Sequence, residues 1–287
     1  MSGTANFSGS DATTAKLHVG GADVPVLGFG TYGMSGVGLR NVLVAALQQG
    51  FRHIDTAQMY KNEADVGEAI AMSGIARKDV FVTTKVWVSN YGARRFLASV
   101  DESLRNLKTD YIDLLLVHWP RGGESIAEQV EGLNAAVDAG KARYIGVSNY
   151  DSGRMRVAAS MSKYPLITNQ VEYHPFLDQT AVLGQVAASD SSLMAYCGMA
   201  VGRVFDTPLL KDIAARHQRT VAQIVLRWLI QQPRVVALSR TQNVERIPGN
   251  LKIFDFALSE DEMAAIASLK KPDGRIVNPS NLAPHWD

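Results

Sequence analysis

Short apolar runs alternate with segments of helical spacing along almost the whole chain, and this alternation limits the fold more than anything else in the sequence. FRHIDTA, VFVTTKVW, IDLLLVHWP, RYIGVSN, ITNQVEYHP, SLMAYCG and RVVALSR read as strands, each followed by a helical segment. Leu97, Val100, Leu104 and Leu107 recur every three or four residues, as do Ile126, Val130, Leu133 and Val137, which places each set on one face of a helix. Apolar strands separated by amphipathic helices make a parallel sheet. With VLGFG as the first strand there are about eight such units, the number that closes a (β/α)8 TIM barrel. No linker rich in Pro, Gly or Ser divides the 287 residues. The expected organisation is a flexible tail over residues 1–15, followed by a single barrel domain over 16–287 that opens with an N-terminal β-hairpin, KLHVGGADVPVL, turned at Gly20 and Gly21.

GFGTYG, residues 28–33, matches the G-x-G-x-x-G spacing of a Rossmann phosphate turn. In a barrel the same glycines have another use: they let backbone approach a ligand at the carboxyl end of the first strand, where barrel enzymes keep their sites. Asp55 ends the following strand and does not stand where a ribose-binding acid would.

Charge excludes some partners. Twenty-nine basic residues against 28 acidic ones leave a formal charge of +1, so no overall field gathers nucleic acid or an anionic membrane. The opening MSGTANFSGSDATTA lacks the pattern of a secretory signal, and no apolar run approaches the roughly 18 residues of a membrane span. The single cysteine, Cys197, excludes an internal disulfide framework and suits a reducing compartment, so a cytoplasmic location is expected. Balanced charge without a marked apolar stripe points to a monomer.

Three ionisable residues sit at consecutive strand ends: Asp55 ends the second barrel strand, Lys85 interrupts the third and His118 ends the fourth. A lysine in a buried strand needs a carboxylate partner, and Asp55 is the natural one. Tyr60 lies in the loop just beyond. A neighbouring cation lowers a phenol's pKa, which is how a tyrosine becomes a general acid. Read without this company, His118 is a core or loop histidine and Lys85 with Asp55 a structural ion pair.

With these residues placed, the chain resembles the aldo-keto reductase superfamily. FRHIDTAQMY, TTKVW and LLLVHWP resemble the segments that carry the family's catalytic Asp, Tyr, Lys and His, and GVSNY, NQVEYHPF and VERIPGNLKIFDF extend the match from about Leu17 to about Lys270. The version with NQVEYHP and AYC is most similar to bacterial reductases of the diketogluconate reductase type. The resemblance implies NADPH as cofactor and a small carbonyl compound as substrate, with Tyr60 protonating the carbonyl oxygen, Lys85 lowering the tyrosine pKa, Asp55 holding the lysine and His118 orienting the carbonyl. It places Ser148, Asn149 and Gln170 on the nicotinamide carboxamide, Tyr196 stacked on the ring, and Gly30, Thr31 and Asn250 among the cofactor contacts. Arg240, Thr241 and Arg246 in SRTQNVERIPGN, where a helix begins near Asn243, suit the extra phosphate of NADPH. Tyr32, Trp87, Trp119 and Trp286 are expected to wall the substrate pocket.

Several positions depart from the family pattern. Tyr32 stands where many relatives have tryptophan, and Gly198 where proline is usual. Pro248 and Gly249 interrupt a helix that relatives continue, commonly with a glutamate at the second position, so a shortened or kinked helix and weaker adenosine binding are expected. The loop after HWP is short, which suggests an open pocket for small aldehydes or ketones. Glu172 and His174 alternate on one strand without a third metal ligand, and no metal is expected. Two other readings are an NADPH-binding regulatory barrel with little turnover and a Schiff-base aldolase using Lys85 as nucleophile.

Overall fold

The computed structural model describes residues 8–121 and 123–287. Strands β1 (Lys16–Val19) and β2 (Ala22–Pro25) form the expected antiparallel hairpin. Its turn uses Gly20 and Gly21 at φ 53° and 79°, left-handed backbone that glycine adopts without a Cβ clash. The strands β3 (Leu27–Gly30), β4 (His53–Asp55), β5 (Phe81–Val86), β6 (Ile112–Val117), β7 (Ala142–Ser148), β8 (Leu166–Glu172), β9 (Ser192–Tyr196) and β10 (Val235–Ser239) follow. Each pairs in parallel with the next, and β10 returns to β3 to close the barrel.

Around the strands run α1 (Gly36–Gln49), α2 (Glu63–Ser73), α3 (Ala93–Leu107), α4 (Ile126–Asp138), α5 (Ser152–Met161) and α6 (Thr180–Ala188). Two helices, α7 (Pro208–His217) and α8 (Val221–Gln231), separate β9 from β10, and α9 (Ile247–Leu251) and α10 (Glu260–Ala267) come after it. The faces read from periodicity are the ones that pack. Val100 and Leu107 of α3 and Val130 and Leu133 of α4 are buried, with Leu97, Leu104, Ile126 and Val137 against the same core. Ser125 starts α4 with a capping box, accepting from the Glu128 amide while the Glu128 carboxylate returns to the Ser125 amide.

The hairpin packs across the amino-terminal ends of the barrel strands. Leu17, Val19 and Val24 are buried there, and the Tyr144 hydroxyl donates to the Gly21 carbonyl at 3.3 Å. Ser8 and Lys16 exchange backbone hydrogen bonds of 3.0 and 2.9 Å, and Ala12 and Ala15 are buried. Packed chain therefore extends at least back to Ser8, inside the stretch expected as a tail; the rest of that tail, residues 1–7, lies outside the described residues. Among the described residues no helix is long and apolar enough to cross a membrane.

Candidate active site

Strand register brings the ionisable residues together. Gly30 pairs with Asp55, and Asp55 with Thr83. Residues two apart share a strand face, so Lys85 points to the same side as Thr83 and Asp55, into the barrel. There the Lys85 ammonium donates to Asp55 Oδ1 at 2.6 Å and to the Thr56 carbonyl at 2.9 Å, and the Tyr60 hydroxyl lies 3.4 Å from it. Tyr60 ends a one-turn helix, Gln58–Tyr60, that follows β4 directly. The Tyr60 and His118 rings meet edge to face at 5.8 Å, and Trp87 packs on the other side of His118 at 5.2 Å.

Burial dominates the acid–base chemistry. It pushes the Tyr60 phenol well above its ordinary value, with the Asp55 carboxylate and Tyr32 acting in the same direction. The direction is opposite to the lowering expected from Lys85, because desolvation and a nearby carboxylate both favour the neutral phenol. Burial also lowers the Lys85 ammonium, opposed by Asp55 and Glu63. His118 is held well below 6.5 by burial and then by Lys85, so its imidazole is neutral, and its buried Nδ1 has no hydrogen-bond partner.

These groups open onto a cavity of about 540 Å³ at the carboxyl ends of the strands. Gly30, Tyr32, Asp55, Tyr60, His118, Trp119, Ser148, Asn149, Gln170 and Tyr196 line its inner part, with Arg240, Thr241, Arg246 and Asn250 at one end. Thr31, Trp87 and Trp286, all expected at the site, are not among the lining residues. Thr31 is fully buried and donates to the Asp55 carbonyl at 3.0 Å. Trp87 packs on His118, and the Arg275 guanidinium lies over the Trp286 ring at 3.6 Å.

Several polar groups have protein partners that the expected roles did not include. The Gln170 amide donates to Asp55 Oδ2 at 2.6 Å, so Asp55 is held from both sides. The Tyr196 hydroxyl donates to Asn149 Oδ1 at 2.7 Å, and the Asn149 amide donates to the His118 carbonyl at 3.0 Å. Sequence reading missed Met59, Met199, Val201, Phe205 and Val277 in the lining. Val277 arrives from the C-terminal segment because Glu172, wholly buried, accepts from the Ile276 and Val277 amides at 2.8 Å each and pairs with His174 at 2.8 Å. Burial works against the Glu172 carboxylate, but the bonds from His174, Val277 and Ile276 hold its pKa below the ordinary value. Its role is structural, and no cluster able to hold a metal ion occurs among the described residues.

The far end of the cavity suits an anion. Neither Arg240 nor Arg246 has a carboxylate partner among the described residues; the Arg240 Nε donates to the Tyr32 carbonyl at 2.6 Å. The one-turn helix Val244–Arg246 starts at Asn243, whose side chain accepts from the Glu245 amide. The helix α9 is only five residues long, and Pro248 sits in its first turn, where its missing amide costs no hydrogen bond. This is the expected shortening. Cys197 also lines the cavity, at φ 59°, with its thiol pushed up to about 11 by burial and by Glu172.

The model of the aldo/keto reductase family matches residues 26–271. The chain is 38% identical over 267 residues to methylglyoxal reductase DkgB of Yersinia pestis, covering 92% of this chain and 99% of that protein. It superposes with a TM-score of 0.94 on the solved structure of a protein provisionally named 2,5-diketo-D-gluconic acid reductase B, at 54% identity over 95% of this chain and 97% of the other. The Bombyx mori aldo-keto reductase solved in complex with NADP is 30% identical, with a TM-score of 0.85 over 92% of this chain and 95% of that one.

Proposed function

Because the chain belongs to the aldo/keto reductase family, we propose that it reduces small aldehydes and ketones to alcohols, using NADPH as the electron donor and Tyr60 as the proton donor. The observation that carries this reading is the buried group of Asp55, Lys85 and Tyr60, in which Asp55 and Tyr60 line one cavity and Lys85 lies behind them, 3.4 Å from the Tyr60 hydroxyl. When bound, the dinucleotide supplies two electrons as hydride to the carbonyl carbon. Arg240, Arg246, Thr241 and Asn250 would hold its phosphate end, and two guanidinium groups without carboxylate partners fit a phosphomonoester better than a ribose diol. Ser148, Asn149, Gln170 and Tyr196, with Gly30, would hold the nicotinamide end.

The protein's own part in the chemistry is proton supply and orientation. As charge builds on the carbonyl oxygen, that oxygen becomes basic enough to take the Tyr60 proton. The phenolate left behind lies 3.4 Å from the Lys85 ammonium, which stabilises it at the moment it forms. Asp55 keeps Lys85 charged and in place, and Gln170 keeps Asp55 in place. Neutral His118 lines the same cavity with its ring beside Tyr60, where an imidazole N–H would donate to the substrate oxygen. A Schiff-base mechanism fits less well, since Lys85 is fully buried, is not among the cavity-lining residues and spends its donors on Asp55 and Thr56.

The test is NADPH oxidation with methylglyoxal, glyoxal and larger aldehydes, with NADH as control. Methylglyoxal comes first because the Yersinia relative is named for it. Tyr60→Phe should lower kcat by about 10² to 10⁴-fold, the usual worth of a positioned general acid, with the Kd for NADPH unchanged. Retained turnover in that variant would sink the assignment of Tyr60.

A further inference from the structure

Gln58, two residues before Tyr60, does not line the cavity, yet its amide makes more hydrogen bonds than any role in the loop requires. Its Oε1 accepts from the Trp87 backbone amide and from Asn90 Nδ2, both at 2.9 Å. Its Nε2 lies 3.2 Å from the Ser99 carbonyl, 3.1 Å from Ser99 Oγ and 3.1 Å from Ser103 Oγ. The orientation of the amide follows from chemistry: the Trp87 N–H can only donate, so the oxygen must face it. One half-buried side chain thereby ties the Tyr60 turn to the loop after β5 and to α3.

The network continues behind the barrel wall. Ser103 donates to Glu63 Oε2 at 3.2 Å, and Glu63 Oε1 accepts from Thr84 Oγ1 at 2.6 Å. Thr84 is the residue before Lys85 on β5, facing outwards where Lys85 faces in. Tyr60 and Lys85 are thus linked twice: directly at 3.4 Å inside the barrel, and through Gln58, Ser103, Glu63 and Thr84 outside it. Through Trp87 the same amide also locates the ring that packs on His118.

We propose that Gln58 is a positioning residue for carbonyl reduction, one that sets the separation between the Tyr60 hydroxyl and the Lys85 ammonium through the outer network. This inference rests on the reductase reading above. Proton donation depends steeply on such separations, because a displacement near 1 Å can cost about 10²-fold in rate. A side chain that only stabilised the fold would, on removal, reduce the amount of competent enzyme and leave each remaining site unchanged.

The experiment compares wild type, Gln58→Met and Ser103→Ala in full-length enzyme, with rates normalised to NADPH-binding sites. Gln58→Met keeps side-chain volume and removes every hydrogen bond. Its kcat should fall on the order of tenfold, with the carbonyl KM and the NADPH Kd within twofold of wild type. The solvent deuterium isotope effect on kcat should rise, since only the proton step has been slowed. Ser103→Ala, which leaves the Trp87 contact intact, should show the same changes at smaller size and carries the test if Gln58→Met does not fold. An unchanged kcat per site, or a fall with no change in the solvent isotope effect, would overturn the positioning role. Failure of the wild type to reduce any carbonyl would instead overturn the reading beneath it, and this inference with it.

Discussion

His53 shows how far burial governs single residues in this barrel. It lies fully buried beneath Asp55, with Nε2 3.0 Å from Thr83 Oγ1 and Nδ1 3.4 Å from the Pro25 carbonyl. Burial, opposed by the Asp55 carboxylate, pushes its imidazole down to about 4. The sign of the linkage follows. Below the unfolded value of 6.5 the unfolded chain binds a proton that the folded chain refuses, so stability falls as the pH drops from about 6.5 to about 4. The size expected from this histidine is about 3 kcal/mol, and His118, also held low, acts in the same direction. Urea unfolding measured between pH 7 and pH 4 should show that slope, and His53→Gln should flatten part of it. A slope unaltered by His53→Gln would mean that the imidazole titrates normally in the folded protein.

At the scale of elements, the short helix α9 gives the clearest prediction. A Cβ added at Gly249 meets nothing within 4 Å, and this glycine lies in helical backbone where glycine itself costs roughly 0.5–1 kcal/mol. Gly249→Glu should therefore stabilise α9 and, if the dinucleotide binds as proposed, add an acceptor beside its adenosine end, tightening the NADPH Kd by about three- to tenfold in a fluorescence titration. An unchanged Kd would show that the missing side chain has no bearing on this cofactor. The strands and the helices α3 and α4 were legible because each carries a complete local pattern, and Asp55, Lys85 and His118 were legible because polar residues stand out at the ends of apolar strands. Gln58 and Val277 were not. Their partners, Ser103 and Glu172, are distant in sequence, and neither side chain breaks a pattern where it stands. Met199, Val201 and Phe205 were hidden for a different reason. They flank or belong to the irregular turn Ala200–Asp206, where Val201 at φ 52° leaves no periodicity to read.

For the molecule as a whole, the site is assembled from both ends of the chain's order. The wall nearest the C-terminus depends on Glu172, a residue of β8 that fastens residues 276 and 277. Glu172→Ala would leave His174 and two backbone amides without their acceptor, at about 2–4 kcal/mol of stability. It should raise the carbonyl KM more than the NADPH Kd, because the Arg240 and Arg246 end, proposed above to hold the dinucleotide phosphate, is built from the loop after β10. Steady-state kinetics beside NADPH titration would separate the two, and equal changes in both would place Val277 outside the substrate's reach. The hairpin β1–β2 carries a further consequence. It packs across the amino-terminal ends of the strands, while the residues lining the cavity gather at the carboxyl ends. Shape and chemistry are thereby divided between the two ends: changes in the hairpin should be felt in stability, while ligand affinity answers to the opposite rim.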